Sequence, residues 1–560
     1  MTLKKAPRLR IAIIYPNTRS VARANLGAWI VYKILTNHPK VEAVRLFLKE
    51  LTSANLPIIL LDEGGNRWDL KNFHVVAFSV SFENDLINIS HILSSFSIPL
   101  RSRERDESYP LILMGGIVPS SNPEPIAELV DLFLLGEAEV SLNNTIEYLF
   151  ELAEGNSKEQ VLYLIQKDLP FAYVPRYYLP LYGKSHELLG LIPSRADFPS
   201  KIKTSKHMQI GNREVSPWIG EILPEDSAFP QKRLVELGRG CKRGCRFCLA
   251  GYVYRPPRWY HKEDILRSLE EVKADTVGLL APCITDMPQL LNILSYLRTN
   301  GTYFTISSLR ADAINEELIE LLKWANQRSV TIGLEAGSAR LRNLINKHLT
   351  NEKIFESIEL LAKGGFYSIK LYFILGLPTE ETEDIEETIV LVKKIRHIII
   401  KNMAPSKRVA KIVANFSYFI PKPFTPLQWS PMADIKTLKN RQKTIQRALL
   451  KEGGINITFD TPKWAYIQCL LSQGDRRVFE LIKLGDAFNW DFNRLQSNHI
   501  INPNYFVTRQ KGLEEYLPWD FINNGISKEY LIKEYELAMK SLESPGCNLA
   551  NCKKCGVCEV

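Results

Sequence analysis

Val235-Glu-Leu-Gly-Arg-Gly-Cys-Lys-Arg-Gly-Cys-Arg-Phe-Cys-Leu-Ala-Gly-Tyr252 lies near the middle of a 560-residue chain. The apolar run Leu234 to Gly238 reads as a β-strand, and the glycines after it read as a loop carrying Cys241, Cys245 and Cys248. Three thiols at C-x3-C-x2-C spacing can converge on one metal centre, and the loop contains no fourth thiol. An iron–sulfur cluster with three protein ligands leaves one iron open, which points to chemistry. An incomplete zinc site is the alternative reading of the same thiols.

Outward from this loop, residues 231–430 alternate strand-like and helix-like patterns. Strand candidates are Leu234 to Gly238, Thr276 to Ala281, Tyr303 to Ser308, Ser329 to Gly333, Ser368 to Leu375 and Ala414 to Tyr418. Helical stripes lie between them, such as Ile265, Leu269 and Val272, or Leu318, Leu321 and Leu322. This pattern predicts a partial (β/α)6 barrel whose active face is the C-terminal ends of its strands. The cysteine loop follows the first strand and so belongs to that face.

Residues 8–150 show a second alternation. A strand at Arg10 to Tyr15, a helix near Leu26 to Thr36, and strands at His74 to Val80, Leu111 to Met114 and Val130 to Leu135 predict a doubly wound, Rossmann-like parallel sheet. Ligands of such sheets sit beyond the C-terminal strand ends, where Gly115, Gly116 and Gly136 gather. The same glycines equally serve tight turns. Residues 151–230 are broken repeatedly by prolines and read as a connector. Residues 431–545 read as mainly helical, and residues 546–560 form a tail with Cys547, Cys552, Cys555 and Cys558. The fold class is therefore α/β with a helical C-terminal region and a Cys-rich end.

Hydrophobic residues make up 45% and charged residues 24% of the chain, as in ordinary globular proteins. No run of 18 apolar residues is free of charge, so no membrane span is expected, and the basic start Met1 to Arg10 lacks a signal-peptide core. A net charge of +9 permits RNA, protein, lipid or small-molecule substrates without choosing among them. Seven of the nine cysteines fall in two clusters, which predicts metal or cluster ligation in a reducing cytoplasm and not a disulfide framework. Cys283 and Cys469 stand alone.

The loop resembles the defining motif of the radical S-adenosylmethionine (SAM) superfamily. Further segments in the right order strengthen the resemblance: Ser307-Ser-Leu-Arg310, Gly333-Leu-Glu-Ala-Gly-Ser338 and Leu371-Tyr-Phe-Ile-Leu-Gly-Leu-Pro-Thr-Glu380. It implies a 4Fe–4S cluster on Cys241, Cys245 and Cys248 whose open iron chelates SAM. One electron from a flavodoxin- or ferredoxin-type donor would then release a 5′-deoxyadenosyl radical. By the same resemblance Phe247 lies near the adenine, Glu335 meets the amino group or ribose with Ser338 beside it, and Arg310 is a fixed cation for the methionine carboxylate, with Ser308 a further cofactor-binding residue on the same segment. Gly376 belongs to the backbone flanking the adenine. Lys242, Arg243 and Arg246 are expected to lower the thiol pKa values. The usual Gly-Gly-Glu-like end of the second strand is missing, replaced by Gly278-Leu-Leu-Ala-Pro282, and the next residue, Cys283, is a candidate radical or methyl acceptor.

Gly115-Gly116, Asn122-Pro-Glu-Pro-Ile-Ala127 and Leu135-Gly-Glu-Ala-Glu139 resemble the cobalamin-binding-type domain that precedes many radical SAM modules. No Asp-x-His-x-x-Gly segment accompanies them, so a histidine below the cobalt is not expected. The segment Ser417 to Trp429 resembles the barrel exit of the branch that includes methylthiotransferases. The favoured expectation is cobalamin-assisted methylation of an unreactive carbon. A methylthiotransferase or other RNA- or protein-modifying enzyme without cobalamin, and a zinc-binding scaffold, stand beside it. The four tail cysteines are expected to ligate a second 4Fe–4S cluster or zinc.

Overall fold

The computed structural model describes residues 8–49, 58–403, 410–487, 490–497, 500–548, 552 and 554–559. Residues 1–7 of the basic start lie outside them.

The N-terminal sheet contains β1 (Leu9–Thr18), β2 (Val41–Leu48), β3 (Leu60–Leu61), β4 (Val75–Ser79), β5 (Leu111–Gly115), β6 (Leu132–Leu134) and β7 (Ala172–Tyr173) in the order β3-β2-β1-β4-β5-β6-β7. The five central strands are parallel, while β3 and β7 pair antiparallel at the edges. Helices cover both faces, so β4 and β5 read as continuous apolar runs with no polar alternation. Residues 172–173 extend the sheet into the stretch that reads as a connector. The strand β2 is absent from the sequence reading because Glu42 and Arg45 interrupt its apolar pattern. Arg45 is nonetheless buried, held by Glu63 and, at 2.6 Å, by Glu221.

The connector forms a hairpin, β8 (Tyr178–Tyr182) and β9 (Leu188–Pro193), and two short strands, β10 (Ile202–Lys203) and β11 (Ile219–Ile222). The barrel begins with β12 (Arg233–Glu236), followed by the short pair β13 (Gly238–Arg239) and β14 (Arg258–Trp259). It continues with β15 (Thr276–Leu280), β16 (Tyr303–Ile306), β17 (Val330–Glu335), β18 (Ser368–Leu375), β19 (Lys411–Tyr418) and β20 (Ile455–Phe459). Strands β12, β15 and β16 run parallel in one sheet, and β17 to β20 run parallel in another. A parallel bridge between Leu309 and Ile332 joins the two sheets.

All six expected barrel strands are present, and β20 adds a parallel strand beyond residue 430. Phe373, Phe416 and Phe459 share one register across β18, β19 and β20 and stack with centroids 5.0 Å apart. Such cross-strand aromatic pairs fix register and dock the added strand. The rest of the chain is mainly helical, with β21 (Ile522–Asn523) pairing β10.

The C-terminal ends of the N-terminal strands face the barrel. Asp85 lies just past β4, and burial raises its carboxyl from 3.8 to about 6. One oxygen accepts the Asn17 side chain at 2.7 Å, and the Tyr15 hydroxyl also bonds the carboxyl, but burial outweighs both. The folded state therefore binds this proton more tightly than the unfolded chain does. Stability falls as pH rises through the interval from 3.8 to about 6, and stays lower above it. Asp85→Asn removes the penalty, so its melting temperature relative to wild type is expected to rise between pH 4 and pH 8. The gain at pH 8 is about 1–3 kcal/mol. Thermal denaturation at the two pH values reads this, and a difference that stays flat with pH would refute it.

Candidate active site at the strand ends

The loop after β13 brings the three thiols together. Gly240 and Gly244 take positive φ there (77° and 74°), which lets the chain reverse between Arg239 and Cys245. Cys248 begins a short turn, with the Gly251 N–H donating to its carbonyl at 3.1 Å. Burial pushes the Cys248 thiol up to about 11 and also raises Cys245. Cys283, at the end of the loop after β15, bonds Cys241. That bond, with burial, drives Cys241 upward, and the same bond draws Cys283 down to about 7. The Cys283 sulfur also lies 3.6 Å from the Thr285 hydroxyl. The structure thus adds a fourth thiol to the group from a different strand end.

The expected role of Lys242, Arg243 and Arg246 in lowering the thiol pKa values is corrected. Arg243 turns to Asp286, with its Nε donating at 2.6 Å. Arg246 is buried against Glu534 at 3.0 Å and donates to the carbonyls of Asn343 and Leu344. The Lys242 charge acts on Asp286. The cations that act on Cys245 are instead Lys347 and Arg310, and burial outweighs them.

Lys347 carries no sequence signal. It reaches the thiols because the helix Ala339–Leu344 ends in front of it and the chain turns back. Its ammonium pairs with Glu335 at 3.0 Å. Burial works to neutralise it, but Glu335 and Cys245 outweigh burial and hold its pKa above the usual value. Glu335 ends β17 with φ of 65°, after a bulge between Gly333 and Glu335 that re-aims its side chain. A non-glycine residue held in this region marks stored strain of the kind found at functional sites.

The other predicted residues fall as follows. Phe247 is half-buried and packs with Ala336, Leu341 and Phe419. Ser308 is exposed on the loop after β16. Arg310 is buried, bidentate to Asp312 at 2.9 and 3.1 Å, and donates to the Lys347 carbonyl. Ser338 is wholly buried, caps the helix Ala339–Leu344 and donates to Asp384 at 2.6 Å. Gly376, at φ 82°, donates to Glu380 at 2.8 Å and lies against Leu438.

Two cavities adjoin the loop. One, of about 590 Å³, is walled by Phe247, Phe82, Phe419, Asp460 and Trp464. The other, of about 400 Å³, lies between the N-terminal strand ends and the barrel. Its walls include Gly115, Gly116, Gly136 and Glu137 on one side, and Arg239 and Pro282 on the other. No histidine is among its lining residues. A Cβ at Gly116 would overlap the Val80 backbone and one at Gly136 the Ser205 backbone, and both residues have positive φ. Close approach of the protein's own chain therefore accounts for these two glycines.

An ion network closes this cavity. Glu137 accepts from Arg258 at 2.6 and 3.1 Å, from Arg239 at 3.0 Å and from the His207 N–H at 2.9 Å. Arg239 also bonds Glu139 and Glu236. Burial works to raise the Glu137 carboxyl, but the Arg258 bond and the charges of Arg239 and Arg258 hold it below the usual range.

Among the described residues, no three Cys, His, Asp or Glu side chains close on a point at single-ion distances. A lone zinc, with sulfurs at about 2.3 Å, would require the thiols to contract. The loop thiols lie with Lys347 and Arg310, whose charges would offset those of thiolates holding a larger cluster.

A strand-end thiol loop on a parallel barrel, facing the strand ends of a second parallel sheet, defines a class of cluster-dependent enzymes. Two family descriptions match: "Radical SAM proteins, N-terminal" over residues 27–175 and "Radical SAM superfamily" over residues 235–392. An uncharacterised protein of Methanocaldococcus jannaschii is 30% identical over 475 residues, 84% of this chain and 89% of its own. The chain belongs to the radical SAM superfamily. A tRNA-2-methylthio-N(6)-dimethylallyladenosine synthase of Carboxydothermus hydrogenoformans is 24% identical, covering 43% of this chain and 54% of its own. Among solved structures, the radical SAM methyltransferase TsrM of Kitasatospora setae, with cobalamin and a [4Fe-4S] cluster bound, aligns at a TM-score of 0.46 and 12% identity. That alignment covers 95% of this chain and 99% of TsrM. No helix among the described residues is long and apolar enough to cross a membrane.

Proposed function

We propose that this radical SAM enzyme transfers a methyl group to an unreactive carbon, with cobalamin housed where the N-terminal sheet meets the barrel. The observation that carries the reading is the cavity of about 400 Å³ shared by the two sets of strand ends. Its barrel wall is built from Arg239 and Pro282, whose neighbours are Gly240-Cys241 and Cys283. A group held there would lie beside the thiol loop. The cavity walls are mostly apolar, as suits one edge of a corrin, although a whole cobalamin is larger than the cavity and would extend beyond it.

Cys241, Cys245 and Cys248 would hold the 4Fe–4S cluster. Bound there, cluster and SAM supply a 5′-deoxyadenosyl radical by one-electron cleavage. Lys347 and Arg310 would meet the methionine carboxylate, and Glu335 the amino group or ribose. Phe247 offers a flat apolar surface at the entrance to the aromatic cavity. The substrate would enter that cavity, because its walls join the loop, the N-terminal domain and the helical region.

Anaerobic reconstitution with iron and sulfide, followed by SAM and reductant, is expected to release 5′-deoxyadenosine. A protein that binds only zinc and leaves SAM intact would end the reading. Cobalamin should co-purify from corrinoid-supplied cells. Undiminished SAM cleavage by a protein that binds no corrinoid would favour the RNA- or protein-modifying reading instead.

A further inference from the structure

The tail cysteines have no part in the cavities, since none lies in the wall of either one. They lie instead against the backbone of the thiol loop. The Cys547 N–H donates to the Lys242 carbonyl at 2.6 Å, next to Cys241 in the chain. A Cβ on Gly546 would overlap that carbonyl, so a glycine is needed for so close an approach. Ser544 donates its N–H to Asn346 at 2.8 Å, and Asn346 donates to the Gly244 carbonyl at 3.3 Å. The Ser544 hydroxyl and Arg246 meet on one oxygen of Glu534, at 2.7 and 3.0 Å. Tail and loop are thus clamped together at Lys242, Gly244 and Arg246.

The far end of the tail is also anchored. The Cys555 carbonyl accepts from the Ser527 N–H at 3.0 Å, and Gly556 lies against Gly525. Cys547 and Cys558 each feel the charge of the other tail thiols that lie near them, and Cys547, Cys555 and Cys558 lie within reach of the Arg255 guanidinium. Arg255 follows the loop and donates to the Gly251 carbonyl at 3.0 Å and to Tyr530. It therefore stands between the two cysteine groups. The arrangement has a direction: Cys547 abuts the loop, Cys555 is buried and Cys558 is exposed.

We propose that Cys547, Cys552, Cys555 and Cys558 hold a second iron–sulfur cluster that relays single electrons into the thiol loop. Cys558 faces an external low-potential donor of the flavodoxin or ferredoxin class, and the Cys547–Lys242 hydrogen bond bridges to Cys241. One electron leaves the donor, passes through the tail site and arrives at the loop site. The donor is oxidised by one unit, no bond is made or broken and no proton moves. The inference rests on the reading that the loop holds a reducible cluster. A sulfur-donating role would require a tail cysteine to face a substrate cavity, and none lies in the wall of the two cavities beside the loop.

The test uses the full chain, reconstituted anaerobically, in wild-type form and as two multiple variants. Cys552→Ala/Cys555→Ala/Cys558→Ala is expected to lower iron from about eight to about four per chain. Its SAM cleavage with dithionite should be near wild type, whereas cleavage driven by reduced flavodoxin should fall more than about tenfold. Cys558→Ser, at an exposed position, guards against misfolding and should show the same split between reductants. Cys241→Ala/Cys245→Ala/Cys248→Ala should keep about four irons and the electron-spin signal of a reduced cluster. Zinc in the wild-type tail, no iron in the loop variant, or equal rates with both reductants in the tail variants would overturn the relay. If wild type failed to cleave SAM, the loop reading would fall, while the iron count of the loop variant would still judge the tail.

Discussion

Alanine at Cys245 or Cys248 is expected to reduce 5′-deoxyadenosine release to background, a loss of at least about a thousandfold, or about 4 kcal/mol in the barrier. Burial raises both thiols, and the side-chain bond from Cys283 goes to Cys241. With two of three thiolates left, the loop cannot hold a cluster with one defined open iron. Cys241 differs, because Cys283 touches it from the end of β15. Cys241→Ala is therefore expected to keep a fraction of its iron, with Cys283 standing in, and Cys241→Ala/Cys283→Ala to keep none at the loop. Iron analysis and visible absorption separate these cases on the tail-deficient background. Full SAM cleavage by Cys245→Ala would remove the loop from the chemistry.

Glu137→Ala is expected to destabilise the folded chain by about 3–5 kcal/mol, because it leaves buried cations short of their counter-charge. Arg258 loses both its bonds to carboxylate, and Arg239 keeps only Glu139 and Glu236. The His207 N–H also loses its acceptor. Glu137→Gln preserves the shape and some of the bonds, and should lose less, about 1–3 kcal/mol. Because these residues join the N-terminal sheet to the cysteine loop, the Ala variant should also bind corrinoid more weakly. Urea and thermal denaturation of both variants provide the measurement. A change under about 0.5 kcal/mol for Glu137→Ala would mean that the network is solvated in solution and carries little weight.

Periodicity made the two parallel sheets readable because their strands are short apolar runs bounded by Gly, Pro or Asn, a purely local signal. Two of their parallel strands escaped for physical reasons. Arg45 in β2 is charged yet buried, and only Glu63 and Glu221 make that tolerable. Strand β20, Ile455-Asn-Ile-Thr-Phe459, is short and lies between helices, and its Phe459 completes an aromatic stack started on β18.

The cysteine loop was legible for a similar reason. Its thiols are neighbours in the chain, and the strand before it sets where the loop emerges. What faces those thiols was not legible. Arg243 and Arg246 are adjacent to the cysteines in sequence, but distant carboxylates draw them away: Asp286, and Glu534 at 288 residues' separation. Lys347, without any motif, takes the position beside Cys245, and Cys283 arrives from another strand end.

The tail follows the same division. Its Cys-x2-Cys spacing marks a metal site from composition alone, yet its contact with Lys242 depends on the whole helical region folding back across the barrel. Local pattern alone thus marks the thiols proposed to hold the cluster and the strands that carry them. Charge partners, the fourth thiol and the route between the two cysteine groups are long-range contacts. Only the tertiary structure decides these, because electrostatic pairing depends on distance in space and is indifferent to distance along the chain.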